Sequence, residues 1–316
     1  MNLTNILEKV TLRKLLAAGV ATFVGYKVFD EKIGPSSRLP TVSVIDLHGT
    51  ILADGGRGGL GSQNINLDSM KKKIDLAFYP KSLKAVLLNI NSPGGSPVQS
   101  DLVGSYIKEK AAEKDVPVIV FVEDMAASGG YWLACTGSEI YAARCSVVGS
   151  IGVISQGLGF HQLIEKLGID NRTYTAGENK SINNPFDPPK ESDIKIVKEL
   201  LNTIHQVFID HVKTSRGDRL VDDDHTLFNG QYWTADTALK LGLIDGIEHM
   251  ETYINRTWGK EGKDVRVFRL KNKMGLAGLL SGVSSYLSPE SLLTSSSLSS
   301  PVTQDSEVQS LISSFR

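Results

Sequence analysis

The hydrophobic pattern changes period several times along the chain. "VSVID" at Val42 to Asp46 is a short apolar run that predicts a strand, and "HGTILADGGRGGLGSQ" after it is glycine-rich and reads as a loop. "LDSMKKKIDLAF" has helical spacing, "KAVLLNIN" is a continuous apolar run of strand length, and "SPGGSPVQSDLVGSYIKEKAAE" turns sharply into another helix. "PVIVFVED" then predicts a strand, "AASGGYWLAC" a helix, "SEIYAA" and "VGSIGVIS" strands, and "FHQLIEKLG" a helix. From Glu191 to Arg216 the residues Val197, Leu200, Leu201, Ile204, Val207 and Phe208 recur at helical spacing, so a long helix with an apolar packing face is expected. "VRVFRL" predicts a last strand. This succession of strands and helices is that of an α/β domain.

The two ends depart from the pattern. Leu15 to Tyr26 is uncharged, with Lys9, Arg13 and Lys14 before it and Lys27 after it. Twelve residues fall short of the roughly 20 that span a bilayer. The stretch therefore reads as a short anchor, a signal-peptide core or an organellar presequence, with an amphipathic helix packed on the domain as the plainer alternative. After Met274 the chain is rich in serine, poor in aromatics and without a period, so that a disordered tail is expected. The organisation predicted is a hydrophobic anchor or targeting segment over 1–40, a catalytic domain over 41–273 and the tail over 274–316.

Composition narrows the classes. Lys plus Arg number 34 against 35 Asp plus Glu, a net charge of -1, so the chain offers no basic field to nucleic acid. Cys135 and Cys145 form no disulfide framework and lack the neighbours of a zinc site, so both read as small core residues. A phosphate-binding loop is a weak reading of the first glycine cluster, because the Lys-Ser/Thr it requires is missing.

The candidate chemistry lies at two strand-to-helix junctions. "NINSPGG" places Gly94 and Gly95 at one, and "EDMAASGG" places Ser128, Gly129 and Gly130 at the next. Glycine permits positive φ and leaves backbone N–H groups open to a ligand, and two such groups make an oxyanion hole. Ser128 is either a helix N-cap or a nucleophile. A nucleophilic serine needs a base, and Lys180 in "TYTAGENKSINNPF", read as following a strand, is the candidate; the plain alternative is a solvated surface lysine. A lysine serves as base only when neutral, which requires its pKa to fall from ~10.4 toward ~7–8. Ser150 in "VVGSIGVI" offers a hydroxyl to orient it. The histidines His48, His161, His205, His211, His225 and His249 stand in no glycine-framed or acid-paired motif, and they read as surface or satisfied core residues rather than triad members.

"LLNINSPGG", "DMAASGGYWLAC", "VGSIGVIS", "TAGENKSINNPF" and "WTADTALKLGLIDGI", in that order, resemble the signal peptide peptidase A and SohB family of serine peptidases, SohB-type members above all, over Thr41 to Ile254. The resemblance implies an α/β crotonase/Clp-protease-like spiral of β-β-α units, homo-oligomeric assembly, and no cofactor or metal. It implies an acyl-enzyme on Ser128, with Lys180 as general base, Ser150 orienting that base, and Gly94 or Gly95 with Gly129 as the oxyanion hole. The substrates it implies are signal-peptide remnants or other membrane-associated peptides. It implies a membrane-associated location, mitochondrial or otherwise organellar if the host is eukaryotic. Two other readings are a crotonase-type acyl-CoA enzyme and an inactive, peptidase-like scaffold.

Overall fold

The computed structural model describes residues 39–53, 64–221, 223–261 and 263–269. The uncharged segment Leu15 to Tyr26, most of the glycine-rich loop and the serine-rich tail lie outside the described residues. Among the described residues no helix is long and apolar enough to cross a membrane.

The domain is a mixed α/β sheet. In chain order its elements are β1 (Thr41–His48), α1 (Leu67–Ala77), β2 (Leu83–Ser92), α2 (Pro97–Lys114), β3 (Val118–Ala127), α3 (Gly129–Ala134), β4 (Glu139–Ala142), β5 (Val147–Gly149) and α4 (His161–Lys166). There follow α5 (Glu191–Arg216), a 3₁₀ turn, α6 (Asp224–Leu227), β6 (Tyr232–Thr234), α7 (Ala235–Lys240), β7 (Gly246–Ile247), α8 (Met250–Trp258) and β8 (Arg266–Arg269). The order across the sheet is β6-β5-β3-β2-β1-β8, parallel throughout except for the antiparallel pair β5–β6. β2 and β3 are central, which is why "KAVLLNIN" and "VIVFV" are apolar on both faces. One face packs under α1, α2 and α3 through Ile74, Ile107 and Leu133; the other packs Val44, Leu87 and Phe121 under Tyr253 and Ile254 of α8.

Local signals set the helix starts. Asn66 caps α1, its side chain accepting the Ser69 N–H at 2.9 Å. Ser96 caps α2 with Pro97 in the first helical position.

β3 divides its pairing, and this division builds the site. Its first half, Ile119 to Val122, runs beside β4, while its last three residues run beside β5, Ala127 opposite Gly149. The strand therefore continues past "VED" to Ala127, and the following helix starts only at Gly129. One rung beyond the Ala127/Gly149 pair stand Ser128 and Ser150.

Four expectations need correction. "VGSIGVIS" is a strand only as far as Gly149, because Ser150 takes a left-handed φ of 54° that breaks the ladder. No strand precedes Lys180: Asn171 to Thr175 pair with none. Cys145 is exposed, lying in the turn between β4 and β5, whereas Cys135 is buried and its thiol is pushed up to about 11 by that burial. The apolar stripe of α5 is packed only toward its C-terminal end, at Phe208 and Val212; Leu200 and Val207 remain 59% and 54% exposed.

Candidate active site

Ser128 stands where β3 gives way to α3. Its φ of 52° and ψ of -123° put an L-residue in a sparsely populated region, and its side chain makes no capping hydrogen bond. The N-cap reading thus lacks the bond that would carry it. The Ser128 main chain is held from both sides: its N–H donates to Gly149 O at 2.8 Å, and its carbonyl accepts from Tyr131 N–H at 2.9 Å. The hydroxyl is left unused by the fold.

The two glycine junctions interlock beside it. Gly94 adopts φ 98°, and a Cβ there would come within 2.7 Å of the Gly129 nitrogen and 2.8 Å of Ser128 Cβ. Gly95 passes so near Ile51 that a Cβ would lie 2.0 Å from its carbonyl oxygen. A Cβ on Gly129 would meet Ser100 Oγ at 2.5 Å and the Gly95 nitrogen at 3.3 Å. Only glycine permits this approach. The Gly94 N–H is committed to Ser92 Oγ at 3.2 Å. Among the described residues the Gly95 and Gly129 N–H groups donate to nothing, so these two amides are available to an incoming oxyanion.

A cavity of about 790 Å³ opens over this arrangement, lined by Ser128, Gly129, Gly95 and Ser150 on one side. The lining continues with Leu201, Ile204, His205 and Phe208 from α5 and with Phe228, Asn229 and Gly230, mostly apolar with the two polar side chains His205 and Asn229. Ser150 is fixed by its N–H, which donates to Gln231 O at 2.7 Å. The structure thus brings together Ser128, Ser150, Gly95 and Gly129. Lys180 is not among the residues lining the cavity; it is exposed, in a turn where its N–H donates to Gly177 O at 3.2 Å.

Two features of the surroundings are not read from the sequence as part of the site. One is the use of the apolar face of α5, with His205, as cavity lining; the sequence shows the face and the histidine but not where they pack. The other is a buried ion pair: Arg216, 1% exposed, donates from both terminal nitrogens to Asp245 at 2.8 and 2.9 Å and from Nε to Gly242 O at 2.9 Å. Burial disfavours the Asp245 carboxylate, but the Arg216 bonds and the Ile140 N–H outweigh it and hold the carboxyl below its usual range. The pair ties the end of α5 to the segment behind Tyr131, whose hydroxyl donates to Leu243 O at 2.7 Å.

His211 stacks on the Trp132 ring at 4.4 Å and bonds the Trp132 carbonyl. Burial lowers its pKa, the carbonyl bond opposing it. The folded chain thus favours the neutral ring, and the unfolded chain protonates first. The stability His211 contributes is complete above the unfolded value of 6.5 and falls as pH drops below it. Thermal unfolding of the wild type is expected to lose stability from about pH 7 to about pH 5, with a smaller loss in His211→Gln; equal slopes would contradict this.

A strand-to-helix serine with strained backbone, two amides that donate to nothing among the described residues and a cavity above them are the parts that an acyl-transfer site uses. The comparisons with known proteins agree with that chemistry. Residues 110–265 match the profile of Peptidase family S49, and the chain carries a domain of that family. The fold beside that match is the mixed α/β sheet described above. A putative signal peptide peptidase SppA of Enterococcus faecium is 30% identical over 227 residues, 70% of this chain and 64% of that protein. A probable protease SohB of Buchnera aphidicola is 32% identical over 217 residues, covering 68% of this chain and 66% of that one. A Brucella melitensis protein named Na(+)/H(+) antiporter NhaA is 44% identical over 238 residues, 75% of this chain but 31% of its own length. The chain thus spans about a third of that relative and just under two thirds of the two proteases. A solved structure of the 1510-N membrane-bound stomatin-specific protease superposes with a TM-score of 0.46 at 17% identity, covering 79% of this chain and 100% of that one.

Proposed function

We propose that the chain is a serine endopeptidase that works through an acyl-enzyme on Ser128. The observation that carries this reading is the strained, uncapped Ser128 facing a cavity next to the Gly95 and Gly129 amides, which donate to nothing among the described residues. In the proposed cycle Ser128 Oγ attacks the peptide carbonyl, its proton passes to the neutral Lys180 amine, and the oxyanion accepts hydrogen bonds from Gly95 and Gly129. Lys180 returns the proton to the leaving amine, and water then releases the acyl group by the same path in reverse. Ser150, fixed one rung from Ser128, orients the lysine.

The reading requires Lys180 to reach the site. The segment that carries it exposes the large apolar side chains Ile154, Leu158, Leu163, Leu167 and Ile169, the first 83% exposed, the kind of surface that marks an interaction site. Burial of this face in a homo-oligomer supplies the approach of Lys180 to Ser128. The mostly apolar cavity lining suits extended peptides with apolar side chains, as in signal-peptide remnants and other membrane-derived peptides. Residues 1–40 are assigned as the membrane anchor or targeting segment, and the location as membrane-associated.

Hydrolysis of a quenched library of apolar peptides tests the reading. The wild type is expected to cleave it, and Lys180→Ala to lose at least about a hundredfold in turnover, the usual worth of a general base. A Lys180→Ala variant as active as the wild type would remove the lysine from the mechanism.

A further inference from the structure

Helix α5 crosses both serine-bearing segments, and each of its two interior histidines meets a main-chain carbonyl there. His205 Nε2 lies 3.0 Å from the carbonyl oxygen of Ile151, and His211 Nε2 lies 3.0 Å from that of Trp132. A carbonyl only accepts, so both rings carry a proton on Nε2 and donate it. Trp132 belongs to the helix that Ser128 starts; Ile151 follows Ser150.

Ile151 is held by its side chain, buried in the core, and its carbonyl is held by the His205 bond. Ser150 sits at φ 54°, a sparsely populated conformation that persists only where the surroundings impose it. Behind it, the Ser150 N–H is fixed on Gln231. Ahead of it the sheet has ended, and among the described residues no hydrogen bond ties residues 152 to 159 to another element. The His205 bond is thus the last hydrogen bond to another element on the chain as it leaves Ser150. His205 also lines the cavity, where it is the one titratable side chain among the described lining residues, set between apolar Leu201, Ile204 and Phe208. Packing alone would be satisfied there by another apolar residue. What histidine adds is a rigid donor aimed at the Ile151 carbonyl.

We propose that His205 is a positioning residue: its Nε2–H, donated to Ile151, keeps the Ser150 hydroxyl and the adjoining cavity wall in register with Ser128 without touching the reacting atoms. The inference rests on the reading of Ser128 as nucleophile and Ser150 as the residue that orients the base. Without the donor, Ser150 is free to relax from its strained φ, and the step it supports slows while binding in the cavity persists.

The test is the rate at which a fluorophosphonate labels the full-length chain, followed by intact mass over a range of probe concentrations, with thermal unfolding alongside. His205→Met fills the space without a donor. His205→Gln, of the same length, restores an N–H. His205→Met is expected to label about tenfold more slowly at saturating probe, the worth of one hydrogen bond, with half-saturation and unfolding temperature close to wild type. His205→Gln is expected to recover at least about half of the rate. Should His205→Met fail to fold, His205→Leu takes its place beside His205→Gln. A donor-less variant that labels as fast as wild type, or a glutamine variant as slow as the donor-less one, overturns the inference while leaving the nucleophile in place. A wild type that takes no label at Ser128 overturns the nucleophile reading, and the inference with it.

Discussion

Ser128→Ala is expected to abolish peptide hydrolysis, by three orders of magnitude or more, while leaving the fold as stable as before. The two halves of this result discriminate between the two readings of the residue. An N-cap serine replaced by alanine costs about 1 kcal/mol and has no bearing on turnover. Here the side chain makes no capping bond, and alanine inherits the same backbone strain that serine already bears at φ 52°. The stability change is therefore close to zero, and the whole effect falls on the chemistry. Peptide hydrolysis and urea unfolding, measured on the same preparation, check both halves. A variant destabilised by a full cap's worth but still active would return Ser128 to a structural role.

The second large effect is on stability. Arg216→Ala is expected to cost about 3–5 kcal/mol, because it leaves the Asp245 carboxylate without its bidentate partner behind the nucleophile helix. Arg219, 3.2 Å from Asp245 Oδ1 and itself partly exposed, compensates in part, which places the loss toward the lower end. Against a typical total of about 5–15 kcal/mol such a loss is large. The Asp245 contribution has a pH signature as well. Its pKa is depressed in the folded chain, so its stabilisation is present above the unfolded value of 3.8 and disappears as pH falls through the lower folded value. Replacing both partners, Arg216→Met with Asp245→Leu, is expected to restore only part of the loss, since the buried charge is gone but the partly exposed Arg219 and the Ile140 N–H lose their carboxylate. Urea unfolding of the single and double variants decides this. A single variant within about 1 kcal/mol of wild type would show that the pair contributes little.

The features legible in the sequence were those made by neighbours in the chain. The apolar runs at β2 and β3 and the serine and glycines at the strand ends are written in a few consecutive residues, and the structure realises each as an element or a junction. Even the proximity of Ser128 to Ser150 follows from a strand end and its parallel neighbour once Ala127 is paired with Gly149. What escaped depends on residues far apart. His205 meets Ile151 across 54 positions and Arg216 meets Asp245 across 29. In the sequence His205 reads as a surface or satisfied core histidine and Arg216 as an ordinary basic residue at a helix end.

The corrections have the same origin. The stripe on α5 has the period of a packing face, but period says only that one side is apolar, not that the chain itself covers it. Cys145 and Cys135 are the same residue type ten positions apart; one falls in a turn and the other in the core. Lys180 stands out in the sequence as a candidate base between turn formers, with a solvated surface lysine as the plain alternative, and the structure places it in an exposed turn.

The central claim is that Ser128 is a nucleophile served by Lys180. Intact mass after incubation with a fluorophosphonate tests it most directly, on wild type beside Ser128→Ala and Lys180→Ala. The account predicts one adduct per chain on the wild type, none on Ser128→Ala, and little or none on Lys180→Ala in the same interval. An adduct that survives Ser128→Ala, or a folded and assembled wild type that takes none, would contradict it.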